Sequence, residues 1–423
     1  MARRPPFIQR QPLLMVESTC PMRIAHYIDL SEIGGIQTSF VNLLENSTFA
    51  NAFSHSVIHR TNGHPMPDLV ARLRSADITV NWDRTRLKTP QALLRLRRAS
   101  LDRAMFEMAD ARLCLYWSAL PAPSVVSALM GRGTRSLFYD RGFSTRKSPT
   151  TEKVALFQKF DAIICNSRAS AAMWKLKWHC TGPVHVNLNA IRSDVLRVTD
   201  SIVPKPAPDL NKELNLGFAG RLIATKGAAM AVLTAEAIRQ HGIPVVLHLA
   251  GQGPEQDRLR QLAREHNMES SVRFWGLCHD MSVFYRTIDV LLCPSLREPF
   301  GLVSVEAQAW GCPVVVSSVD GLPETIEDGR TGRSVRPTMS LEAYSRFCVD
   351  TTAIPVSVYD PVSARLRPPA APMSDALAEA VLSIVSRPED YKQMSKAAIE
   401  RAQTVFAFDT HVERLLQILR HYA

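Results

Sequence analysis

The sequence predicts an α/β protein of two doubly wound halves facing a central cleft, and three observations carry that expectation. Short apolar runs alternate with amphipathic helical patterns from about residue 23 onward, the rhythm of parallel strands joined by helical crossovers. A proline-rich stretch, Val203-Pro-Lys-Pro-Ala-Pro-Asp209, breaks the rhythm, which then restarts at Asn215. The 423 residues suffice for about two or three domains of ~150 residues, and 46% apolar content is that of a globular protein.

Residues 1–21 have too short an apolar core for a secretory signal and no small-residue cleavage site, so a poorly defined segment is expected there. The first domain, 22–200, should hold strands at Arg23–Asp29, Ser54–Arg60, Ile78–Asn81, Arg112–Tyr116, Arg135–Asp140 and Ala162–Asn166. Amphipathic stretches at Ile36–Glu45, Pro67–Arg74 and Gln91–Met105 separate them. Proline continues neither a helix nor a central strand, which makes 201–213 a linker. The second domain, 214–403, should place strands at LGFAG, Val245–Ala250, Val272–Gly276, Val290–Cys293, Val314–Ser317 and Gly332–Val335. Its segment 337–374 is rich in proline and reads as an irregular insertion, after which helices resume at Asp375. The last helix, within 404–423, places Val412, Leu415, Leu416 and Leu419 on one face.

Charge is unevenly divided. Residues 1–200 hold 27 basic and 15 acidic side chains, a balance of +12, whereas 201–423 hold 23 and 25, a balance of −2. The split turns the first half toward a polyanion, with a merely soluble Arg-rich surface as the plainer account. Aromatics interleaved with Lys and Arg in the manner of nucleic-acid modules are missing, so no nucleic-acid partner is expected. Six basic residues stand among leucines between Arg84 and Leu101 on an expected helix. Its leucines either enter lipid beneath the arginines or pack on the domain's own sheet, and the +12 balance favours an anionic membrane surface as partner. No run of 18 apolar residues is present to span a bilayer. The eight cysteines show no C-x-x-C spacing and read as small buried residues in a reducing compartment.

Several motifs bear chemistry. Gly34-Gly35 lies between the first strand and the following helix, where an anion could approach amides unobstructed by a Cβ; a plain tight turn explains it equally well. Gly220-Arg-Leu-Ile-Ala-Thr-Lys-Gly227 sets Arg221 and Lys226 after a strand, at the start of a helix. The sharpest constellation is Glu298-Pro-Phe-Gly-Leu-Val-Ser-Val-Glu306: Pro299 and Gly301 hold Glu298 in a loop, and Glu306 falls about one turn into a helix. Amides near Gly301 and Leu302 would face the cleft, and buried carboxylates there need donors such as sugar hydroxyls. Asp140 ends a strand and is either a general base or a structural cap. His26, His185 and His248 stand singly and read as core or loop histidines rather than metal ligands.

Gly34-Gly35, DAIICNS and Asn189 in the first half, followed by FAGRLIATKG, HLAGQGPEQDRLRQLA, VRFWG, the E-x7-E of Glu298 and Glu306, EAQAWGCPVVVS and GLPETIEDGRTG, in this order and spacing, resemble the retaining nucleotide-sugar glycosyltransferases of family 4. The resemblance runs from about Arg23 to the C-terminus and implies two Rossmann-like domains in the GT-B fold. It implies that Arg221 and Lys226 hold the donor diphosphate, that Glu306 takes the ribose hydroxyls, and that Glu298 contacts the transferred sugar. Gly35, Phe300, Gly301 and Leu302 complete the implied donor site, and Glu298, Lys226 and Asp140 the catalytic set. The implied reaction moves a hexose-type sugar, such as mannose, glucose or an N-acetylhexosamine, from a nucleotide diphosphate to a glycan or lipid-linked acceptor. Bacterial polysaccharide or lipopolysaccharide assembly, in the cytoplasm or on the inner face of its membrane, is the implied setting. With no D-x-D motif in a suitable loop, neither a metal nor another cofactor is expected. An epimerase or hydrolase of the same architecture and a non-catalytic basic scaffold are the alternatives. The chain departs from the family pattern at Tyr139, where many members have histidine, at Asp320-Gly321 in place of Gly-Gly, and at Asn189-Ala190 in place of Asn-Gly.

Overall fold

In the computed structural model, residues 22–59, 64–82, 100, 102–120, 122–191, 201–278 and 280–423 are described. Seven parallel strands form the first sheet: β1 (Arg23–Ile28), β2 (Ser54–His59), β3 (Thr79–Asn81), β4 (Leu113–Trp117), β5 (Arg135–Asp140), β6 (Ala162–Cys165) and β7 (Val184–Val186). Their order is β3-β2-β1-β4-β5-β6-β7. The second sheet comprises β8 (Leu214–Ala219), β9 (Val245–Ala250), β10 (Val272–Gly276), β11 (Val290–Cys293), β12 (Val314–Ser317) and β13 (Gly332–Val335), in the order β10-β9-β8-β11-β12-β13. Central strands are buried from end to end, as in LCLYW of β4 and VVLHLA of β9, because helices cover both faces of a parallel sheet. Strand order reverses at β1/β4 and again at β8/β11, so each half opens a crevice beyond the carboxyl ends of its strands.

Strands expected at Arg23–Asp29, Ile78–Asn81 and Ala162–Asn166 are trimmed to Arg23–Ile28, Thr79–Asn81 and Ala162–Cys165, Arg112–Tyr116 shifts to Leu113–Trp117, and Arg60 of the expected Ser54–Arg60 lies outside the described residues. The edge strand β7 went unanticipated because VHV is too short and only half buried, leaving no apolar alternation to read. The basic segment Arg84 to Leu101, on which the membrane expectation rests, lies outside the described residues, apart from Ser100. Among the described residues no helix is long and apolar enough to cross a membrane.

Segment 337–374 is more ordered than its prolines suggest. Met339–Ser340 pairs antiparallel with Ala370–Ala371, and Val358–Asp360 with Arg365–Arg367. This second hairpin touches the helix Arg168–Leu176 of the first half. The Tyr344 hydroxyl donates to the carbonyl of Ala224 at 2.7 Å, and the Glu255 carboxylate accepts the amides of Val349 and Asp350, so the insertion is fastened to the second half as well. The chain ends in the helix Phe408–His421, whose Phe408, Val412, Leu415, Leu416 and Leu419 join the core of the first sheet. His411 donates through Nδ1 to the carbonyl of Leu188 at 2.8 Å and fixes the helix's entry.

Candidate functional site

The two crevices meet in a cavity of about 340 Å³ lined by Gly35, Arg141, Arg146, Asn166 and Asn189 from the first half and by Arg221, Lys226, Arg297 and residues 298–303 from the second. A recess of about 280 Å³ adjoins it, sharing Arg221 and Val303 and bordered by Gly220, Gly251, Gln252, Leu277 and Glu306. The cavity lies where loops leave the ends of β1, β5, β8 and β11, and the recess where loops leave the ends of β8, β9 and β10.

The loop after β8 carries the first pair of cations. Ala224–Lys226 forms a 3-10 turn, Gly227 follows with φ 74°, and only then does the helix Ala228–Gln240 begin. Lys226 thus precedes the helix instead of opening it, and its ammonium pairs directly with the Glu298 carboxylate. Arg221 is exposed at the junction of cavity and recess.

The loop after β11 carries the carboxylates. Gly301 caps the helix Leu302–Ala309 with φ 103°, and a Cβ there would stand 2.5 Å from Leu322 Cδ1, so glycine serves both the turn and the packing. Phe300 is buried against Phe406, with ring centroids 5.7 Å apart. Glu306 lies in the recess, where the buried Tyr285 hydroxyl donates to its Oε2 at 2.9 Å and orients it. Burial raises the Tyr285 pKa, with the Glu306 charge adding to the shift, so the phenol stays a donor.

Sequence reasoning missed Arg297 and Asp320, which hold this loop from behind. Arg297 donates through Nη1 to Thr145 Oγ1 of the first half at 3.1 Å. Burial lowers its pKa, Glu298 and Asp320 oppose that shift, and Arg146 and Arg221 add to it as like charges. Asp320 is fully buried in the left-handed region at φ 45°, a conformation tolerable for Asp. Its Oδ2 accepts the Glu298 amide at 3.1 Å, and its Oδ1 the amide of Tyr359 in the inserted hairpin at 2.8 Å. The departure from Gly-Gly at 320 therefore adds a clamp between the loop after β11 and the insertion. The signal was present in the sequence: a carboxylate where the resemblance supplies glycine.

Burial pushes the Asp320 carboxyl up to about 6, with the two amides and Arg297 opposing the shift. Set against an unfolded value of about 3.9, the folded chain binds more protons than the unfolded one between roughly pH 4 and 6, so this group's contribution to stability falls as pH rises through that window. Asp320→Asn should flatten that slope. Asp320→Gly should orphan the amides of Glu298 and Tyr359 and destabilise the protein by about 1–3 kcal/mol, more than relief of the positive φ returns. Melting curves from pH 4 to 8 test both, and two variants melting like wild type at every pH would remove the clamp.

Of the two readings of Asp140, general base or structural cap, the geometry fits the cap. Its carboxylate is wholly buried and accepts the amides of Gly142 at 2.8 Å, Phe143, and Ser144 at 3.2 Å, plus the indole N–H of Trp174 at 2.8 Å. It caps the loop that follows β5 and stays out of the cavity lining. Tyr139 is buried as well, its hydroxyl accepting from Asn187 Nδ2 at 3.1 Å. The same loop instead delivers Arg141 and Arg146, legible only as cations after a strand in RGFSTRK. Gly142 at φ 107° lets the halves approach: a Cβ there would lie 2.9 Å from Pro299 Cγ. Glu324 completes the junction by accepting the amides of Arg168 and Ala169 at 2.9 and 2.8 Å, at the N-terminus of a first-half helix. His26, His185 and His248 are engaged with neighbouring side chains: His26 accepts from Trp117 and His248 from Trp275, while His185 pairs with Tyr422.

The family match falls within the second half of the chain. Residues 203–347 match the family model described as glycosyl transferases group 1. Over 140 residues the chain is 36% identical to glycogen synthase of Mycobacterium tuberculosis, a match covering 32% of this chain and only 34% of that protein. Among solved structures, a glycosyltransferase from Rickettsia africae superposes with a TM-score of 0.70 at 15% identity, covering 95% of this chain and 98% of that one. HepE of Anabaena, solved in complex with UDP, gives 0.66 at 18% identity over 95% and 100% of the two chains. The fold of this chain is accordingly that of the GT-B glycosyltransferase structures.

Proposed function

We propose that this chain is a retaining glycosyltransferase that moves a hexose-type sugar from a nucleoside diphosphate to a glycan or lipid-linked acceptor. One observation carries the reading: the Lys226–Glu298 pair, with Arg221 beside it and Glu306 in the adjoining recess, gathers two cations and two carboxylates between the halves, within the family-matched segment. The recess, with backbone at Gly220 and Gly251 and a carboxylate at Glu306, suits a nucleoside whose ribose hydroxyls donate to Glu306. Arg221 and Lys226 then neutralise the charge that develops on the departing diphosphate, which needs no metal. Glu298 accepts from hydroxyls of the transferred sugar. Glycosyl transfer with retention follows if the acceptor hydroxyl attacks the anomeric carbon from the leaving-group side and surrenders its proton to the β-phosphate. No buried carboxylate base is required, consistent with the capping role of Asp140.

A thermal-shift screen of UDP-, GDP- and ADP-sugars, followed by turnover, tests the reading. Conversion of labelled donor without any acceptor would replace transfer by hydrolysis or epimerisation. Arg221→Ala and Lys226→Ala should each weaken nucleoside-diphosphate binding by about 1.5–3 kcal/mol, the worth of a charge-assisted contact. Calorimetry showing unchanged affinity would assign Arg221 to solvent and leave Lys226 to its pair with Glu298. Turnover should persist in EDTA, and strict dependence on Mn²⁺ or Mg²⁺ would overturn the metal-free reading.

A further inference from the structure

Cations crowd one cavity without matching carboxylates, and they differ in what answers them. Lys226 is paired with Glu298, and Arg297 has Glu298 and Asp320 as opposite charges beside it. Arg221 shares the second half's wall with the donor recess. Arg141 and Arg146 stand on the other wall, in the loop after β5, and no salt bridge among the described residues involves either. Arg141 is held by neutral groups alone: its amide donates to Ser118 Oγ at 2.8 Å, its guanidinium to Ser39 Oγ at 3.0 Å, and its cation lies 5.4 Å from the centre of the Tyr139 ring. Those contacts fix the fork while leaving most of its five N–H donors unused. A second observation points into the same space. Asn189 is 6% exposed, borders the cavity, and its Oδ1 has no donor among the described residues. A buried acceptor on a cavity wall calls for a ligand hydroxyl.

We propose that the first-half wall is an anion-recognising acceptor subsite, in which Arg141 and Arg146 hold a phosphate monoester of the acceptor while Asn189 Oδ1 accepts a hydroxyl of its sugar. The assignment rests on the glycosyl-transfer reading and names the acceptor class of that same site. Two guanidiniums on one wall match a phosphate, which takes paired N–H donors, and a neutral sugar leaves them unanswered. A soluble sugar phosphate and a phosphate-bearing lipid share this chemistry.

Calorimetry on the full chain, with the donor site first filled by a saturating nucleoside diphosphate, tests it in two arms. The soluble arm compares glucose 6-phosphate with glucose, and the lipid arm compares a prenyl monophosphate in phosphatidylcholine vesicles with phosphatidylcholine alone. In at least one arm the phosphorylated probe should bind at least ~10-fold more tightly than its neutral counterpart. Replacing both arginines, as Arg141→Gln with Arg146→Gln, should abolish that preference while nucleoside-diphosphate affinity and melting temperature stay those of wild type. Arg141→Lys with Arg146→Lys should restore part of it. Asn189→Ala should weaken glucose 6-phosphate and glucose alike. Equal binding of phosphorylated and neutral probes in both arms would overturn the assignment. So would a preference that survives in the double Gln variant, or a double variant whose loss falls on the nucleoside diphosphate instead. Failure of wild type to bind any nucleoside diphosphate is a separate result, which removes the donor reading and this assignment with it.

Discussion

Glu298→Gln and Glu306→Gln are each expected to cut turnover by at least ~100-fold while the protein still folds, a loss of about 2.7 kcal/mol in transition-state stabilisation. The two changes act differently. Glutamine at 298 keeps the side chain's length and one acceptor but removes the charge that answers Lys226, so the ammonium no longer sits against a fixed anion. The amide carbonyl still accepts from the Lys226 ammonium, whereas alanine would leave a partly buried cation with no acceptor, so the amide is preferred to alanine as the test. Because Glu298 is assigned to the sugar, its replacement should fall mainly on kcat. Glu306 is oriented by the Tyr285 hydroxyl, and an amide there also presents N–H donors toward the ribose hydroxyls, so affinity for the nucleotide should fall as well. Steady-state kinetics with a matched melting curve separates a chemical loss from a folding loss. Wild-type-like turnover in either variant would sink the proposed donor site.

How far this site was legible depends on where each residue's role is written. Glu298, Gly301 and Glu306 fall in a nine-residue stretch that follows one strand, so loop geometry and helical spacing alone bring them to one mouth of a sheet. Arg221 and Lys226 follow β8 in the same way, and the proline-rich linker separates halves that do form two sheets. Residues acting across the cleft were not legible. Arg297 reaches Thr145, and Glu324 reaches Arg168 and Ala169, over separations of 152 to 156 residues that no local pattern encodes. Asp140 shows the converse. A carboxylate at a strand end is equally compatible with a base and a cap, and only the four N–H groups around it decide for the cap. Segment 337–374 hid its paired strands because strands of two or three residues leave no periodicity, and their pairing depends on anchors at Glu255, Ala224 and Asp320 that lie elsewhere in the chain.

Deleting residues 404–423 should unfold the first half rather than simply shorten the second. Phe408, Val412, Leu415, Leu416 and Leu419 are at most 6% exposed and belong to the core that contains Ile24, Leu115 and Leu137. Burying one such side chain contributes about 1.5–3 kcal/mol, so five contribute roughly 8–15 kcal/mol as an upper figure, as large as the whole stability of a typical domain. The deletion also removes Phe406, which packs edge to face on Phe300, so the loop after β11 loses a wall at the same stroke. Both halves should therefore melt lower, the first more severely, and turnover should vanish. Leu415→Ala provides the graded version: a fully buried leucine cut to alanine should destabilise by about 2–5 kcal/mol while leaving Phe406 and the donor loop in place. If calorimetry finds the truncated chain melting as wild type does, the last helix does not complete the first domain. If truncation spares stability yet abolishes turnover, its role is confined to the Phe406–Phe300 contact.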